Sequence, residues 1–371
     1  MTVPSEITAP LVPSDTSLSR ALRRVALRIM PVMLMGLVGL SLAACTAGDA
    51  LDLKAEQPVP RKLVRAMKAK DMAVDAPILL RVFKEESELE VWKKTDKGRY
   101  ALLETYDICK WSGALGPKTK EGDRQAPEGF YTVNRGLLNP NSSYYLSFNL
   151  GYPNRFDRSF GRTGSHLMVH GACSSAGCYA MEDAPMGEIY ALARDALKGG
   201  QQSFQVQALP FRMTAKNMAR HHESEHFAFW QNLKVGYDHF ELTRTPPKVD
   251  VCERSYQFNR EAKAGVRFLP SARCPESTTP QKLAQVYASY QKDYRLRFEG
   301  AVRAMGGTPP PPLTGTNWTP PKRAPEITPP SVRDARDGAI ADVAVPDAAV
   351  SDGANVEPLP EPTNGGLRGT R

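Results

Sequence analysis

The 371-residue chain has no uninterrupted apolar run long enough to cross a membrane. Its best candidate, Ile29 to Ala44, is shorter than the ~20 residues a spanning helix needs, and Pro31 interrupts it. No Lys/Arg run with interleaved aromatics is present, which excludes nucleic acid as a partner. No internal repeat is visible. Cysteine and histidine are scarce, six residues each, so every one can be weighed individually. With 41% apolar and 24% charged residues, the chain is neither a polytopic membrane protein nor wholly disordered. One or two globular domains are left.

Both ends fall outside that fold. Arg20, Arg23, Arg24 and Arg28 precede the apolar run, which closes on Leu42-Ala43-Ala44-Cys45. Residues 1–44 therefore read as an export signal, and the last four residues resemble a bacterial lipobox with Cys45 as the lipidated position. An ordinary signal peptide with Cys45 merely near the cleavage point is the plainer alternative. Either way the working chain is expected outside the cytoplasm. With lipid at Cys45, it is periplasmic and anchored to a membrane of a Gram-negative envelope. Residues 45–75 read as a linker. Residues 307–371 read as a disordered Pro-rich tail, because positions 308–371 hold 13 of the 31 prolines without sustained periodicity. Six Lys/Arg against eight Asp/Glu in that stretch, and four against two in 1–44, leave the formal +8 on the middle of the chain. A mildly basic exported domain suits an anionic partner such as wall polymer or a lipid surface.

The middle is strand-rich at first. Pro77 to Phe83, Leu89 to Trp92, Tyr100 to Tyr106, Gly129 to Val133 and Tyr144 to Leu150 are short apolar or alternating runs, separated by turn residues. The fold class expected is mainly β, an antiparallel sandwich or barrel with peripheral helices. Asp183 reads as the N-cap of a helix that Gly199-Gly200 stops. Further helices are expected near 214–234 and 278–304, the latter making 276–306 an appendage outside the sheet core.

Chemistry concentrates in Ser165-His-Leu-Met-Val-His-Gly-Ala-Cys-Ser-Ser-Ala-Gly-Cys178. Leu167 to Val169 reads as a buried strand delivering His170 at its end, and Ser175 to Cys178 as a tight loop leading to a helix start. Converging backbone N–H groups there stabilise an oxyanion and lower a thiol pKa. A neighbouring imidazole can take the thiol proton, giving a Cys–His pair that attacks an acyl carbon. A structural thiol, or a Cys173–Cys178 disulfide, is the competing account. With Cys45 set aside, Cys109, Cys173, Cys178, Cys252 and Cys274 are an odd number, leaving at least one thiol unpaired. Cys252 and Cys274 enclose a loop of moderate length and read as a disulfide. Cys109 and Cys173 read as buried.

His170-Gly-x-Cys-x-Ser-x-Gly-Cys178-Tyr-Ala-Met resembles the active-site motif of the YkuD-type L,D-transpeptidases, most closely their YafK-like branch. The likeness also takes in Phe83-Lys-Glu-Glu-Ser, Ser112-Gly-Ala-Leu-Gly-Pro, Gln125-Ala-Pro-Glu-Gly-Phe-Tyr, Leu150-Gly-Tyr-Pro-Asn and Pro210-Phe-Arg-Met-Thr. It covers roughly residues 76 to 260, implying a YkuD-like β-sandwich catalytic domain over 76–275. It makes Cys178 the nucleophile and His170 the general base and acid. Ser175 and Gly177 then shape the loop, and Gly177 and Cys178 N–H serve as oxyanion donors. The implied substrate is a peptidoglycan stem peptide, attacked at the L-centre of its diamino acid through a thioester. An amine acceptor gives cross-linking. Water gives hydrolysis, which the YafK-like branch implies for the link between the wall and an attached lipoprotein. Ala176 and Ala180 depart from the wider family, which has a second histidine at the first and often arginine or asparagine at the second. A non-catalytic wall-binding lipoprotein is the rival of a different class.

Arg162 is expected to bind a stem-peptide carboxylate or to brace a loop, and Tyr144 with Tyr145 to line the groove or pack as strand residues. His222-Glu-Ser-Glu-His226 spells HExxH, which on a helix places two imidazoles on one face for zinc. No metzincin-type third histidine follows, so no metal and no cofactor is assigned.

Overall fold

The computed structural model describes residues 53–310. The export signal, Cys45 and positions 311–371 of the Pro-rich tail lie outside the described residues. Among those described, no helix is long and apolar enough to cross a membrane.

The segment read as a linker begins the fold. Arg-Lys-Leu-Val-Arg-Ala-Met-Lys-Ala carries two apolar residues four apart amid cations, which suits a helix with one narrow apolar stripe. Helix α1 (Arg61–Ala69) buries Leu63 and Met67 completely. Beyond its end, Lys70 Nζ donates to the Leu102 carbonyl at 2.6 Å. The helix thus covers part of an edge strand rather than spacing two domains.

Strands β1 (Ile78–Phe83), β2 (Glu88–Lys94) and β3 (Tyr100–Asp107) form an antiparallel meander. Short β4 (Lys110–Trp111) follows, then β5 (Gly129–Asn134), β6 (Leu138–Asn139) and β7 (Ser147–Asn149). Helix α2 (Arg155–Ser159) leads to β8 (Met168–His170), β9 (Tyr179–Ala180), helix α3 (Asp183–Lys198) and β10 (Ser203–Leu209). These strands make two five-stranded sheets, ordered β3-β2-β1-β10-β5 and β4-β9-β8-β7-β6.

Both sheets are mixed, which corrects the expectation of a mainly β, antiparallel sandwich. β1 pairs parallel with β10, and β8 parallel with β9. The close spacing of the early strands suggested antiparallel pairing throughout. In fact β5 leaves β3 and pairs with β10, after the second sheet and α3 have intervened. β1 is buried at all six positions because both its faces are covered. Leu80 and Val82 face a core shared with the second sheet and α3, whereas Phe83 belongs to a core roofed by later helices.

Those helices are α4 (Ala215–Arg220) and α5 (Phe227–Thr243), in place of one helix over 214–234. Residues 221–226 are turns, so the HExxH sequence does not lie on a helix. Two-residue and four-residue strands follow: β11 (Val249–Cys252) pairs with β12 (Ser255–Phe258), and β13 (Glu261–Ala262) with β14 (Ser277–Thr278). Cys252 and Cys274 pair, with Cα atoms 5.1 Å apart. Helix α6 (Gln281–Ala304) then lays the aromatic ladder Tyr287, Tyr290, Tyr294 and Phe298 along one side. Lys234 Nζ of α5 sits 3.8 Å from the Tyr294 ring centroid.

One histidine in this packing carries a pH prediction. His239 on α5 is 3% exposed, accepts a hydrogen bond from Asn259 Nδ2 at 3.2 Å, and meets the Tyr287 ring edge-on. Burial pushes its imidazole down to about 4. The unfolded chain therefore binds this proton below about pH 6.5 and the folded chain does not until about pH 4. Its contribution is fully present above pH 6.5 and lost as pH falls towards 4. Urea unfolding of His239→Gln should show a smaller loss of stability between pH 7 and pH 4 than the wild type. Equal losses would refute the assignment.

Candidate active site

The parallel β8–β9 pair places the two candidate groups. Val169 lies opposite Tyr179 and His170 opposite Ala180. Cys178 immediately precedes β9, two residues before Ala180, the register partner of His170, and its sulfur meets the backbone of β8 and the residues leading into it. The residues between His170 and Cys178 form the loop that crosses from one strand to the next.

The loop is tightly constrained. Ala172 and Cys173 adopt left-handed φ of 63° and 41°, and His166 beside the thiol adopts 53°. Such conformations concentrate where surrounding structure over-determines the backbone. Gly171 has no room for a side chain: a Cβ there would lie 2.5 Å from Asp183 Oδ1. Gly177 needs its freedom for φ of +139°. Cys173 is not buried, nor is it paired with Cys178. It bonds to Cys109, also exposed, across a Cα separation of 5.4 Å. This bridge ties the loop to the start of β4. Cys178 is the free cysteine among the described residues.

Cys178 is half-buried. Its sulfur accepts the Met168 N–H at 3.4 Å, and its thiol donates to the His166 carbonyl at 3.6 Å. Burial pushes the thiol pKa up, against the Met168 N–H and the charge of Lys118, which pull it down. His170 is 4% exposed, and its Nδ1 lies 2.6 Å from the Gly171 carbonyl. That carbonyl can only accept, so Nδ1 carries the hydrogen and Nε2 is left with a free lone pair. Burial lowers the imidazole pKa, and the Gly171 bond partly restores it. The resting pair is therefore a neutral thiol and a neutral imidazole. Proton transfer has to accompany attack rather than precede it.

Ser175 shapes the loop by drawing in its backbone. Its Oγ accepts from Gly177 N at 3.3 Å and Cys178 N at 3.1 Å, donates to the Cys178 carbonyl at 2.7 Å, and touches Ser112 Oγ at 2.9 Å. The two N–H groups expected as oxyanion donors do converge, but on this hydroxyl. The reason is local: a serine two or three residues before an N–H readily closes an ST turn on it.

Other expected residues fall out differently. Arg162 does not reach for a ligand. Its guanidinium, 8% exposed, pairs with buried Asp157 at 2.8 Å and lies over Phe156, Phe160 and Phe229. It braces a loop. Tyr144 is no strand residue; it precedes β7, is 50% exposed, and holds its ring 4.9 Å from that of His170. It flanks the site. Asp183 is the first residue of α3 rather than its cap. Ala176 is exposed at the loop's outer side, and Ala180 is buried. His222 and His226 do not converge: His222 Nδ1 bonds the Ala219 carbonyl, and His226 packs against Trp230. Among the described residues no group of three or more His, Cys, Asp or Glu could hold a metal ion.

Two supporting groups were not singled out from sequence. Lys118, 4% exposed and bonded to Lys120 O at 2.9 Å, is the cation whose field reaches the thiol. Lys84 pairs with Glu128 at 3.0 Å, fully buried, beneath the loop that carries Ser112. Lys118 lies in plain polar text and Lys84 within the Phe83-Lys-Glu-Glu-Ser stretch of the resemblance, and only burial shows what each does.

A free thiol on a glycine loop, beside an imidazole of fixed tautomer, defines a Cys–His site able to act on acyl groups. No family model matches the chain. Over 187 residues it is 48% identical to the Escherichia coli (strain K12) protein named as an L,D-transpeptidase, YafK, covering 50% of this chain and 76% of that one. The Escherichia coli O157:H7 protein of the same name matches equally. The chain belongs to the YafK-like L,D-transpeptidase family. Among solved structures, the helical cell shape determining protein Pgp2 of Campylobacter jejuni matches at 18% identity and a TM-score of 0.30, over 51% of this chain and 78% of that one. A point mutant of the same protein gives 23% and 0.31, over 41% and 57%. Bd1075 of Bdellovibrio bacteriovorus gives 16% and 0.27, over 47% and 76%.

Proposed function

We propose that this cell-wall enzyme uses Cys178 as nucleophile on peptidoglycan stem peptides, at the carbonyl of the diamino acid's L-centre. The supporting observation is the free thiol of Cys178 at the entry to β9, beside the strand that ends in His170, with Nδ1 of His170 already committed to the Gly171 carbonyl. Turning away from the His166 carbonyl, the thiol delivers its proton to Nε2 as sulfur attacks. The tetrahedral adduct collapses by breaking the C–N bond. The leaving amine of the terminal D-alanine takes the proton from His170, and a thioester is left on Cys178. An incoming amine or water then loses a proton to Nε2 and displaces sulfur, which recovers that proton.

An amine acceptor makes a cross-link. Water makes the chain a hydrolase, and a lysine-linked lipoprotein on the diamino acid is then a substrate whose ε-amine is released. Outside the described residues, lipid on Cys45 would keep this activity in the periplasm at a membrane surface.

Incubation with defined muropeptides, with and without an acceptor amine, followed by mass analysis, tests the reading. Products expected are a D-alanine-shortened stem or its cross-linked dimer, formed only with an alkylatable Cys178. A freed lysine end from a lysine-bearing wall fragment marks hydrolysis, and dimers alone mark transpeptidation. No product from any stem would sink the proposal. Mass analysis of the mature N-terminus in the same preparation reports whether Cys45 carries lipid.

A further inference from the structure

We infer that Asp183 is a positioning residue for His170, acting through the single peptide unit that joins Gly171 to Ala172. The inference rests on the role of His170 as base and adds a third member to the site.

That peptide is engaged at both ends. Its carbonyl oxygen, on Gly171, lies 2.6 Å from His170 Nδ1. Its N–H, on Ala172, donates to Asp183 Oδ1 at 2.8 Å. A carboxylate pulling on the N–H raises the negative charge on the carbonyl at the other end, because hydrogen bonds in series polarise one another. His170 therefore feels the carboxylate as a better acceptor on Nδ1. This is the orienting and charge-stabilising service that a directly bonded aspartate gives a catalytic imidazole, here relayed by one peptide.

Three independent features fix the relay. Gly171 N–H donates to the Tyr144 and Leu146 carbonyls, and Cys173 N–H to the Met181 carbonyl, so the peptide plane is held from both sides. Gly171 has no Cβ, and one would collide with Oδ1. Asp183 occupies the first turn of a 16-residue helix, which fixes where its carboxylate stands.

The groups facing the imidazole are few. Ser147, directly across on β7, is buried, and its hydroxyl has no hydrogen-bond partner among the described residues. Tyr144 lies on one side of the ring, and Tyr145 packs at Gly171. Ala180 is the β9 neighbour, and Cys178 lies two residues before it. Lys118 acts on the thiol. Asp183 reaches the ring only through the peptide.

Asp183→Asn keeps an oxygen acceptor for Ala172 N–H and removes the charge, whereas Asp183→Ala removes both. With the full chain, the His170 titration is followed by NMR, its resonance assigned from His170→Ala, alongside the pH dependence of Cys178 alkylation by iodoacetamide. Asp183→Asn should lower the imidazolium pKa by about one unit, which corresponds to a ~10-fold fall in alkylation rate at pH 7. On muropeptides it should lower kcat and leave KM in place. A wild-type pKa and alkylation profile in Asp183→Asn overturns the inference. If neither variant folds, the wild-type Ala172 amide proton still decides: its bond to the carboxylate should give a downfield, exchange-protected resonance, and rapid exchange with solvent overturns the relay. Alkylation in His170→Ala equal to wild type at pH 7 overturns instead the Cys–His reading beneath it.

Discussion

Cys178→Ala should lower turnover of muropeptides by at least ~10⁴-fold, because a covalent mechanism has no second route once its nucleophile is gone. The fold should survive. Cys178 sits on a loop outside the hydrophobic core, half-exposed, and its sulfur makes two weak hydrogen bonds. Removing it leaves Ser175 free to keep its bonds to the backbone of residues 177 and 178. The melting temperature should stay within about 2 °C of wild type, a shift of no more than about 1 kcal/mol for a domain of this size. Wild-type activity in the variant would show that the thiol is a bystander.

The largest effect on stability should come from Lys84. Its three N–H groups are shared among the carbonyls of Ala114 at 2.9 Å, Gly116 at 3.1 Å and Ala126 at 3.0 Å, and Glu128 Oε1 at 3.0 Å. Glu128 in turn accepts from Gly116 N–H at 2.7 Å and Trp230 Nε1 at 2.8 Å. When the ammonium goes, the Glu128 carboxylate loses its buried counter-charge and the Ala126 carbonyl its donor, while Ala114 and Gly116 keep Gln125 Nε2. Breaking a buried pair from one side costs about 3–5 kcal/mol, and Lys84→Ala should unfold at a correspondingly lower urea concentration. The double variant Lys84→Met with Glu128→Gln should recover part of the loss by removing the stranded charge. A single-variant cost below about 1 kcal/mol would mean that water replaces the ammonium, contrary to its full burial. Variants that fold should also lose activity, because the braced loop carries Ser112 to Ser175.

The sequence was most readable where chemistry and local geometry coincide. His170, Gly171, Ser175, Gly177 and Cys178 sit in one short stretch, each required by type, and the structure gathers them on one loop between paired strands. It was least readable where burial decides. Lys84, Lys118 and Arg162 are alike as letters. One is buried under a loop, one supplies a field to the thiol, and one is stacked among phenylalanines. Helix α1 hid in cationic text because two residues, Leu63 and Met67, suffice to dock it. The parallel pairing of β1 with β10 joins residues more than a hundred positions apart, beyond any local pattern. HExxH, to which no metal was assigned, is a case where spacing alone says little. Its spacing has meaning only on a helix, and turns separate α4 from α5 there.

The bridge between Cys109 and Cys173 has a consequence for how the nucleophile meets oxidants. Cys173 is five residues from Cys178 and, as a thiol, would be the natural partner to condense with a sulfenic acid formed there. Locked to Cys109, it cannot. Peroxide reaching Cys178 thus produces a sulfenate with no resolving thiol on its own loop. Rescue has to come from an external reductant before further oxygen makes the damage permanent. The same bond that holds the loop in shape leaves its nucleophile to be repaired by others.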